Sequence, residues 1–297
     1  MSHAHLIFNP AAGRGAARRI KDRVARAFQQ HGWTIDVYET ARPGHGVDLA
    51  AVAAAAGATH VVAVGGDGTA HEVANGLIAA ASAAAFGIVP AGSGNDFAKL
   101  AGVYRHDPER AVGRLVTASV RRFDAGRVLR EYFINSLGFG FGPAVVHLRN
   151  SMPGLRGFLS YLVPILRAFG TFAPPRFEVR AAEWAEQGNL MMLEVCNGTT
   201  AGGSYRFAPA ADPADGRLDV CVIRRIGLGR FLLALPRVMR GTHGTMREVA
   251  IFQTTELTVH SSDGPLLLHL DGELRTPGVD HCTVTVAPGC LNVMVAR

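Results

Sequence analysis

His60-Val61-Val62-Ala63-Val64 runs directly into Gly65-Gly66-Asp67-Gly68-Thr69, and a helix-like stretch follows from Thr69 to Ala81. A short apolar run bounded by glycines reads as a buried strand that ends in a tight turn. The glycines permit positive φ and let backbone N–H groups approach an anion with no Cβ in the way. Thr69 stands where it can cap the next helix, with Glu72 three residues on in the capping-box position. The positive end of that helix then faces the same anion, so the turn reads as a phosphate site. Asp67 repels phosphate unless a cation lies between them, which implies Mg²⁺ held by carboxylate and phosphate oxygens. The plain alternative is an ordinary tight turn.

Two further glycine-bearing turns follow predicted strands. Asn9-Pro10-Ala11-Ala12-Gly13-Arg14-Gly15 follows Leu6 to Phe8, and Pro90-Ala91-Gly92-Ser93-Gly94-Asn95-Asp96 follows Phe86 to Val89. Loops at the carboxyl ends of parallel strands converge on one crevice, so three such loops build one site. Phosphates are expected near Gly13, Gly66, Gly68 and Ser93, and Asn9 adds a side-chain amide; Asn95 and Asp96 also suit a helix cap over Phe97 to Leu100. Up to Asp124 apolar runs alternate with helical stretches, the pattern of a parallel sheet. Beyond it short strands crowd together, interrupted by helices near Leu155 to Phe169 and Leu228 to Met239, each containing a proline that predicts a kink or a shorter helix. The expected fold class is α/β plus all-β: a three-layer, doubly wound parallel-sheet nucleotide domain over 1–124, then an antiparallel β-sandwich or barrel-like domain over 125–297.

The 297 residues suffice for two domains, each with its own core. Met1-Ser2-His3 leads into no apolar signal segment and no stretch reads as a bilayer-spanning helix, so a soluble, cytoplasmic protein is expected. Cys196, Cys221, Cys282 and Cys290 show no C-x-x-C spacing and read as buried reduced thiols. The twelve histidines form no H-E-x-x-H pair, and His71-Glu72 alone does not make a metal site. The net charge is +6, and two acid-free basic stretches lie in the second half. Tyr132 to Phe177 holds no acidic residue but carries Arg149, Arg156, Arg167 and Arg176. Val220 to Arg247 again holds none and carries Arg224, Arg225, Arg230, Arg237, Arg240 and Arg247. These arginines alternate with apolar blocks, which suits an anionic membrane surface better than nucleic acid, so peripheral membrane association and no nucleic-acid partner are expected. Helices that simply pack on a sheet with arginines in solvent give the same pattern.

The asparagine-proline turn, Gly65 to Thr69 with Glu72 and Asn75, Pro90 to Ala98, Phe123-Asp124 and Leu270-Asp271-Gly272-Glu273 occur in that order. This set resembles the bacterial diacylglycerol kinases and their relatives, the sphingosine kinases and multi-substrate lipid kinases. The resemblance implies an ATP- and Mg²⁺-dependent kinase acting on a lipid alcohol, and it leaves room for a homodimer. It implies nucleotide contacts at Asn9, Pro10, Ala11, Ala12, Gly13, Gly65, Gly66, Asp67, Gly68, Thr69, Ser93, Asn95 and Asp96, and at Thr40 on the sugar or base side. Asp271-Gly272 makes a turn that projects Glu273 from a strand end, where it matches the family's proposed general base; a solvent-exposed hairpin residue is the alternative. Asp212, Asp215 and Arg217 are similar to a structural Mg²⁺ site of some bacterial members, with Asp215 giving its side chain, the other two their carbonyls, and Asp124 and Glu273 joining through waters. A β-turn contains the same residues. A dinucleotide kinase and a nucleotide-dependent lipid-binding regulator without activity are the competing readings.

Overall fold

The alternation before Asp124 folds as a parallel sheet in the computed structural model, which describes residues 2–104, 107–152, 154 and 159–296. Leu155 and Arg156 lie outside the described residues. In order come β1 (His3–Phe8), α1 (Ala12–Gln30), β2 (Thr34–Glu39), α2 (His45–Ala55), β3 (His60–Gly65) and α3 (Asp67–Ala79). They are followed by β4 (Ala85–Pro90), α4 (Asp96–Leu100), α5 (Pro108–Val116) and β5 (Ser119–Val128). Then come β6 (Glu131–Phe133), β7 (Ser136–Gly140), α6 (Phe141–Asn150), α7 (Leu159–Thr171), β8 (Arg176–Ala181), β9 (Trp184–Cys196) and β10 (Leu218–Arg224). The chain ends with α8 (Leu228–Arg240), a 3₁₀ turn at His243–Thr245, β11 (Val249–Thr254), β12 (Glu256–Ser261), β13 (Leu268–Leu270), β14 (Glu273–Arg275) and β15 (His281–Val295).

The chain divides into two compact units, Met1–Ala125 with Pro288–Arg297, and Gly126–Ala287. The last ten residues therefore return to the first unit, where the sequence pattern leaves them in the second. The reason is pairing: β15 is one long strand whose start pairs antiparallel with β12 and whose end pairs parallel with β4 at Val293 and Phe86.

In the first unit the strand order is β15-β4-β3-β1-β2. β3 and β4 are central and almost wholly buried, so they read as continuous apolar runs, whereas edge strand β2 is largely exposed. α1 packs with α5 and α2 with α3, giving a helical layer on each face. The order reverses between β1 and β3, the place where an open α/β sheet opens a crevice at its carboxyl edge. Register sets the three glycine turns level there: Phe8 pairs with Val64, Val64 with Val89, and Gly65 with Pro90.

The second unit is a sandwich, and β9 serves both of its sheets. Its first half pairs with β8, which continues to β12; its second half lies between β7 and β10, in a sheet that runs β14-β13-β7-β9-β10-β11. Leu137, Phe139, Val179, Leu193, Val195, Val220, Leu257 and Leu268 fill the core between the sheets. A second cluster, including Phe141, Ile165, Met192, Phe231 and Val238, joins α6, α7 and α8 to the β9–β10 region. Pro164 and Pro236 both lie inside helices that continue past them. α6 and β11 carry no clear sequence signal, α6 because it starts inside the glycine-rich run Gly138 to Gly142.

Candidate active site

The turn after β1 leaves ordinary helical geometry at once: Gly13, Arg14 and Gly15 all have positive φ, so regular α1 begins beyond them. A Cβ on Gly13 would stand 2.0 Å from the Ala91 carbonyl oxygen, so only glycine lets this turn touch the one after β4. The turns after β3 and β4 meet in the same way. A Cβ on Gly66 would come within 3.0 Å of Gly92 Cα, and one on Gly92 within 2.6 Å of Gly66 Cα. The bare face of Gly66 thus accommodates a neighbouring loop. The Asn9 amide donates to Thr69 Oγ1 at 3.1 Å, its carbonyl oxygen takes the Ala11 N–H, and the Ala91 N–H bonds the Gly65 carbonyl. Asn9, Pro10, Ala11, Ala12, Gly13, Gly65, Gly66, Gly68, Thr69 and Ser93 are therefore gathered on three interlocked turns, with Ala11 and Ser93 exposed on them. Thr40 lies one step past β2, its N–H bonded to the Phe8 carbonyl next to Asn9.

Asp67 opens α3, and its carboxylate accepts the N–H of Asn95 at 2.7 Å and of Phe97 at 3.3 Å. Asn95, in the left-handed region at φ 54°, closes the turn by bonding both the N–H and the carbonyl of Gly92. Although part of the Asp67 residue reaches the surface, its carboxylate is enclosed. Burial first, and the Asp96 carboxylate second, push the Asp67 carboxyl up to about 7 against backbone donors that pull it down. Asp96 is itself buried and paired with Lys99 at 3.0 Å. Asp67 and Asp96, with the one ammonium of Lys99 on Asp96, offer hard oxygen donors of the kind that Mg²⁺ takes.

Thr69 and Glu72 do not make the expected capping box. α3 starts at Asp67 with Gly66 as its cap residue and no side-chain cap, so Thr69 falls inside the first turn. Glu72 reaches instead to α2, where its two oxygens accept the N–H groups of Gly44 at 2.8 Å and Gly46 at 2.9 Å. The close packing of α2 on α3 brings those orphan N–H groups within reach, which sequence spacing does not encode.

In the second unit, Leu270-Asp271-Gly272-Glu273 is a two-residue hairpin in which Leu270 pairs with Glu273 and both central residues have positive φ, the I′ geometry of an Asp-Gly turn. Glu273 is exposed at the start of β14. Asp271 is buried, and its carboxylate accepts the N–H groups of Ile134, Asn135 and Ser136 at 3.1, 2.8 and 3.0 Å. The exposed carboxylate is therefore carried by a turn that the buried one fixes in place.

The Diacylglycerol kinase catalytic domain model matches residues 3–128, and the YegS C-terminal NAD kinase beta sandwich-like domain model matches residues 135–295. A Pseudomonas fluorescens protein named "Probable lipid kinase YegS-like" is 33% identical over 263 residues, 88% of this chain and 86% of that one. The chain belongs to the YegS-like lipid kinase family. A diacylglycerol kinase of Bacillus subtilis is 28% identical over 277 residues, covering 92% of this chain and 90% of its own. Among solved structures, one from Bacillus anthracis str. Sterne superposes with a TM-score of 0.80 at 18% identity, over 100% of this chain and 97% of that chain. A diacylglycerol kinase structure from the same strain gives 0.73 at 18% identity over the same shares, and both establish the shared fold.

Within this YegS-like lipid kinase, Asp212, Asp215 and Arg217 are exposed and make the contacts of a turn. Asp212 accepts the Ala214 N–H, while Asp215 accepts the Arg217 N–H and the Gln253 amide. The Gln253 amide also reaches Asp219, which brings a third carboxylate to this turn. Cys196, Cys221 and Cys282 are buried and all four thiols are free, but Cys290 is only half-buried. Sequence reasoning missed Glu194, which lies fully buried 3.5 Å from the buried His269 ring, with both carboxylate oxygens lacking a hydrogen-bond partner. One glutamate inside the apolar run Leu190 to Cys196 was its only signal. Asp271→Ala is expected to leave three buried N–H groups unsatisfied and to destabilise the fold by about 3 kcal/mol or more. Differential scanning calorimetry checks this as a fall in Tm of roughly 6–12 °C.

Proposed function

We propose that the chain is an ATP- and Mg²⁺-dependent kinase that transfers the γ-phosphoryl group to the hydroxyl of a lipid alcohol such as diacylglycerol. The observation that carries this reading is the meeting of three glycine turns at the sheet's switch point, around the enclosed Asp67 carboxylate. At the start of α3, the N–H groups of Asp67, Gly68 and Thr69 precede the first intrahelical bond, from Ala70 to Gly66, and suit phosphate oxygens. Asp67 and Asp96 would hold Mg²⁺, which when bound neutralises phosphate charge and orients the γ-phosphoryl group. Asn9 and Ser93 would fix the phosphates, and Thr40 the sugar or base side.

Glu273 acts as general base. The lipid oxygen forms a bond to the γ-phosphorus, the bond to the bridging β–γ oxygen breaks, ADP leaves, and the hydroxyl proton passes to the Glu273 carboxylate. Incubation of the purified chain with γ-labelled ATP, Mg²⁺ and, separately, each lipid alcohol or NAD, with mass spectrometry of the products, tests the reading. Phosphorylated lipid is the expected product. Label that appears only on NAD would establish the dinucleotide kinase instead, and no transfer to any acceptor despite ATP binding would favour the inactive regulator.

Peripheral association with an anionic membrane is part of this proposal, and α8 supports it. Phe231, Ala234 and Val238 face inward, yet Leu228, Leu232, Leu233 and Met239 are exposed, Leu233 at 67%. Arg237 and Arg240 lie beside that apolar surface. Arg230 is less available than its sequence position implies, because it pairs with Glu248. No described helix is long and apolar enough to cross a membrane, so surface docking is the contact in question. Each surface arginine contributes about 1 kcal/mol of attraction to an anionic leaflet, so the double variant Arg237→Ala, Arg240→Ala is expected to bind anionic vesicles roughly 30-fold more weakly. Sedimentation with phosphatidylserine vesicles checks this, and equal binding of the variant and wild type at low salt would remove α8 from the contact.

A further inference from the structure

His3 and His5 alternate along β1 and so project from the same face of the sheet. The parallel register places Asp36 of β2 directly beside His5, and the His3 Nε2 lies 3.0 Å from Asp36 Oδ2. One ligand atom from each of the three side chains lies within 4.8 Å of the other two. The rings of His3 and His5 are 5.0 Å apart, and His5 stacks flat on Tyr38 with an interplanar angle of 1°. That stack holds the His5 ring in place. The His5 Nδ1 is shielded from water and has no hydrogen-bond partner, so hydrogen bonding within the protein does not account for this imidazole's position.

We propose that His3, His5 and Asp36 form a surface site for a divalent transition metal of the zinc type. Two imidazoles and one carboxylate match the donor preference of Zn²⁺, Co²⁺, Ni²⁺ and Cu²⁺, while Mg²⁺ takes oxygen ligands, so the site is chemically distinct from the one at Asp67. Tetrahedral Zn²⁺ with bonds of about 2.0–2.1 Å sets its ligand atoms about 3.3 Å apart, a closure that small rotations of these partly exposed side chains supply. Three protein ligands leave a fourth position for water or a further ligand. The metal would link the edge strand β2 to β1 through side chains in addition to the backbone ladder. The inference is independent of the kinase reading, since none of the three residues belongs to the glycine turns.

The test uses untagged full-length protein, titrated with Zn²⁺ by calorimetry and with Co²⁺ by visible absorption, with His3→Gln, Asp36→Asn and His5→Gln as variants. His281→Gln, at an exposed His–Asp pair in the second unit, is the control. The expected result is one equivalent of Zn²⁺ and a Co²⁺ spectrum of low-coordinate type, both kept by the control. Each ligand variant should lose more than the roughly 10-fold in affinity that removal of an outer-shell partner costs. Zn²⁺ should also raise the melting temperature of wild type but not of Asp36→Asn. If His5→Gln fails to fold, His3→Gln and Asp36→Asn still decide the matter, because their side chains lie nearer the surface. Zn²⁺ uptake and Co²⁺ absorption that are the same in wild type and Asp36→Asn, or that are lost in His281→Gln, would overturn the site.

Discussion

Glu273→Gln is expected to lower kcat for lipid phosphorylation by roughly 10² to 10⁴ while ATP affinity stays the same. Gln keeps the size of the side chain and its hydrogen-bonding capacity but cannot take the hydroxyl proton, so the loss falls on the transition state. The structure sharpens the test because Glu273 is exposed and the buried Asp271 holds the hairpin. A surface change of this kind alters stability by no more than about 0.5 kcal/mol. Single-turnover phosphoryl transfer, ATP binding and melting temperature on one preparation separate the two roles. Retained turnover would take Glu273 out of the mechanism, whereas a large fall in melting temperature would mark it as structural.

Asp67→Asn is expected to lower Mg²⁺-dependent turnover by roughly 10³-fold, since the carboxylate charge toward the metal is worth several kcal/mol in a phosphoryl-transfer transition state. It also disturbs the turn, because one side-chain oxygen replaces two in facing the N–H groups of Asn95 and Phe97. A pH experiment isolates the charge. The Asp67 carboxyl is raised in the folded protein from 3.8 to about 7, so between those values the folded state binds a proton that the unfolded state has released. Stability from this group therefore falls as pH rises from about 4 to about 7 and levels off above. Without Mg²⁺ or nucleotide, wild type should lose more melting temperature than Asp67→Asn across that window. Parallel melting curves would show that the Asp67 carboxylate ionises as freely as in the unfolded chain, and the argument for a cation there would fail.

Much of the fold was legible because it rests on local periodicity. Apolar runs such as Val61 to Val64 mark buried strands, and the glycine turns mark where those strands end. The Asp271-Gly272 pair specifies a hairpin register on its own, since few dipeptides accept two consecutive positive φ values. The glycine turns and the Diacylglycerol kinase catalytic domain model likewise overlap on the first unit. The site was legible as a set of residue types at strand ends, and less so as a set of contacts.

Partner choice came only from the tertiary structure. Glu72 has the spacing to cap its own helix, but it caps α2, because helix packing brings the N–H groups of Gly44 and Gly46 within 2.9 Å. The bareness of Gly66 is also needed for a contact that its sequence neighbours do not encode, the approach of the loop at Gly92. Arg230 sits in an acid-free stretch, yet Glu248 folds back onto it. His3, His5 and Asp36 are separated by 33 positions from first to last and meet only through the β1–β2 register. Sequence by itself determined which backbone segments become strands, helices and turns, because those preferences act over a few residues. Which carboxylate meets which N–H, cation or imidazole was decided by the tertiary fold, because such contacts form over about 3 Å between segments far apart in the chain.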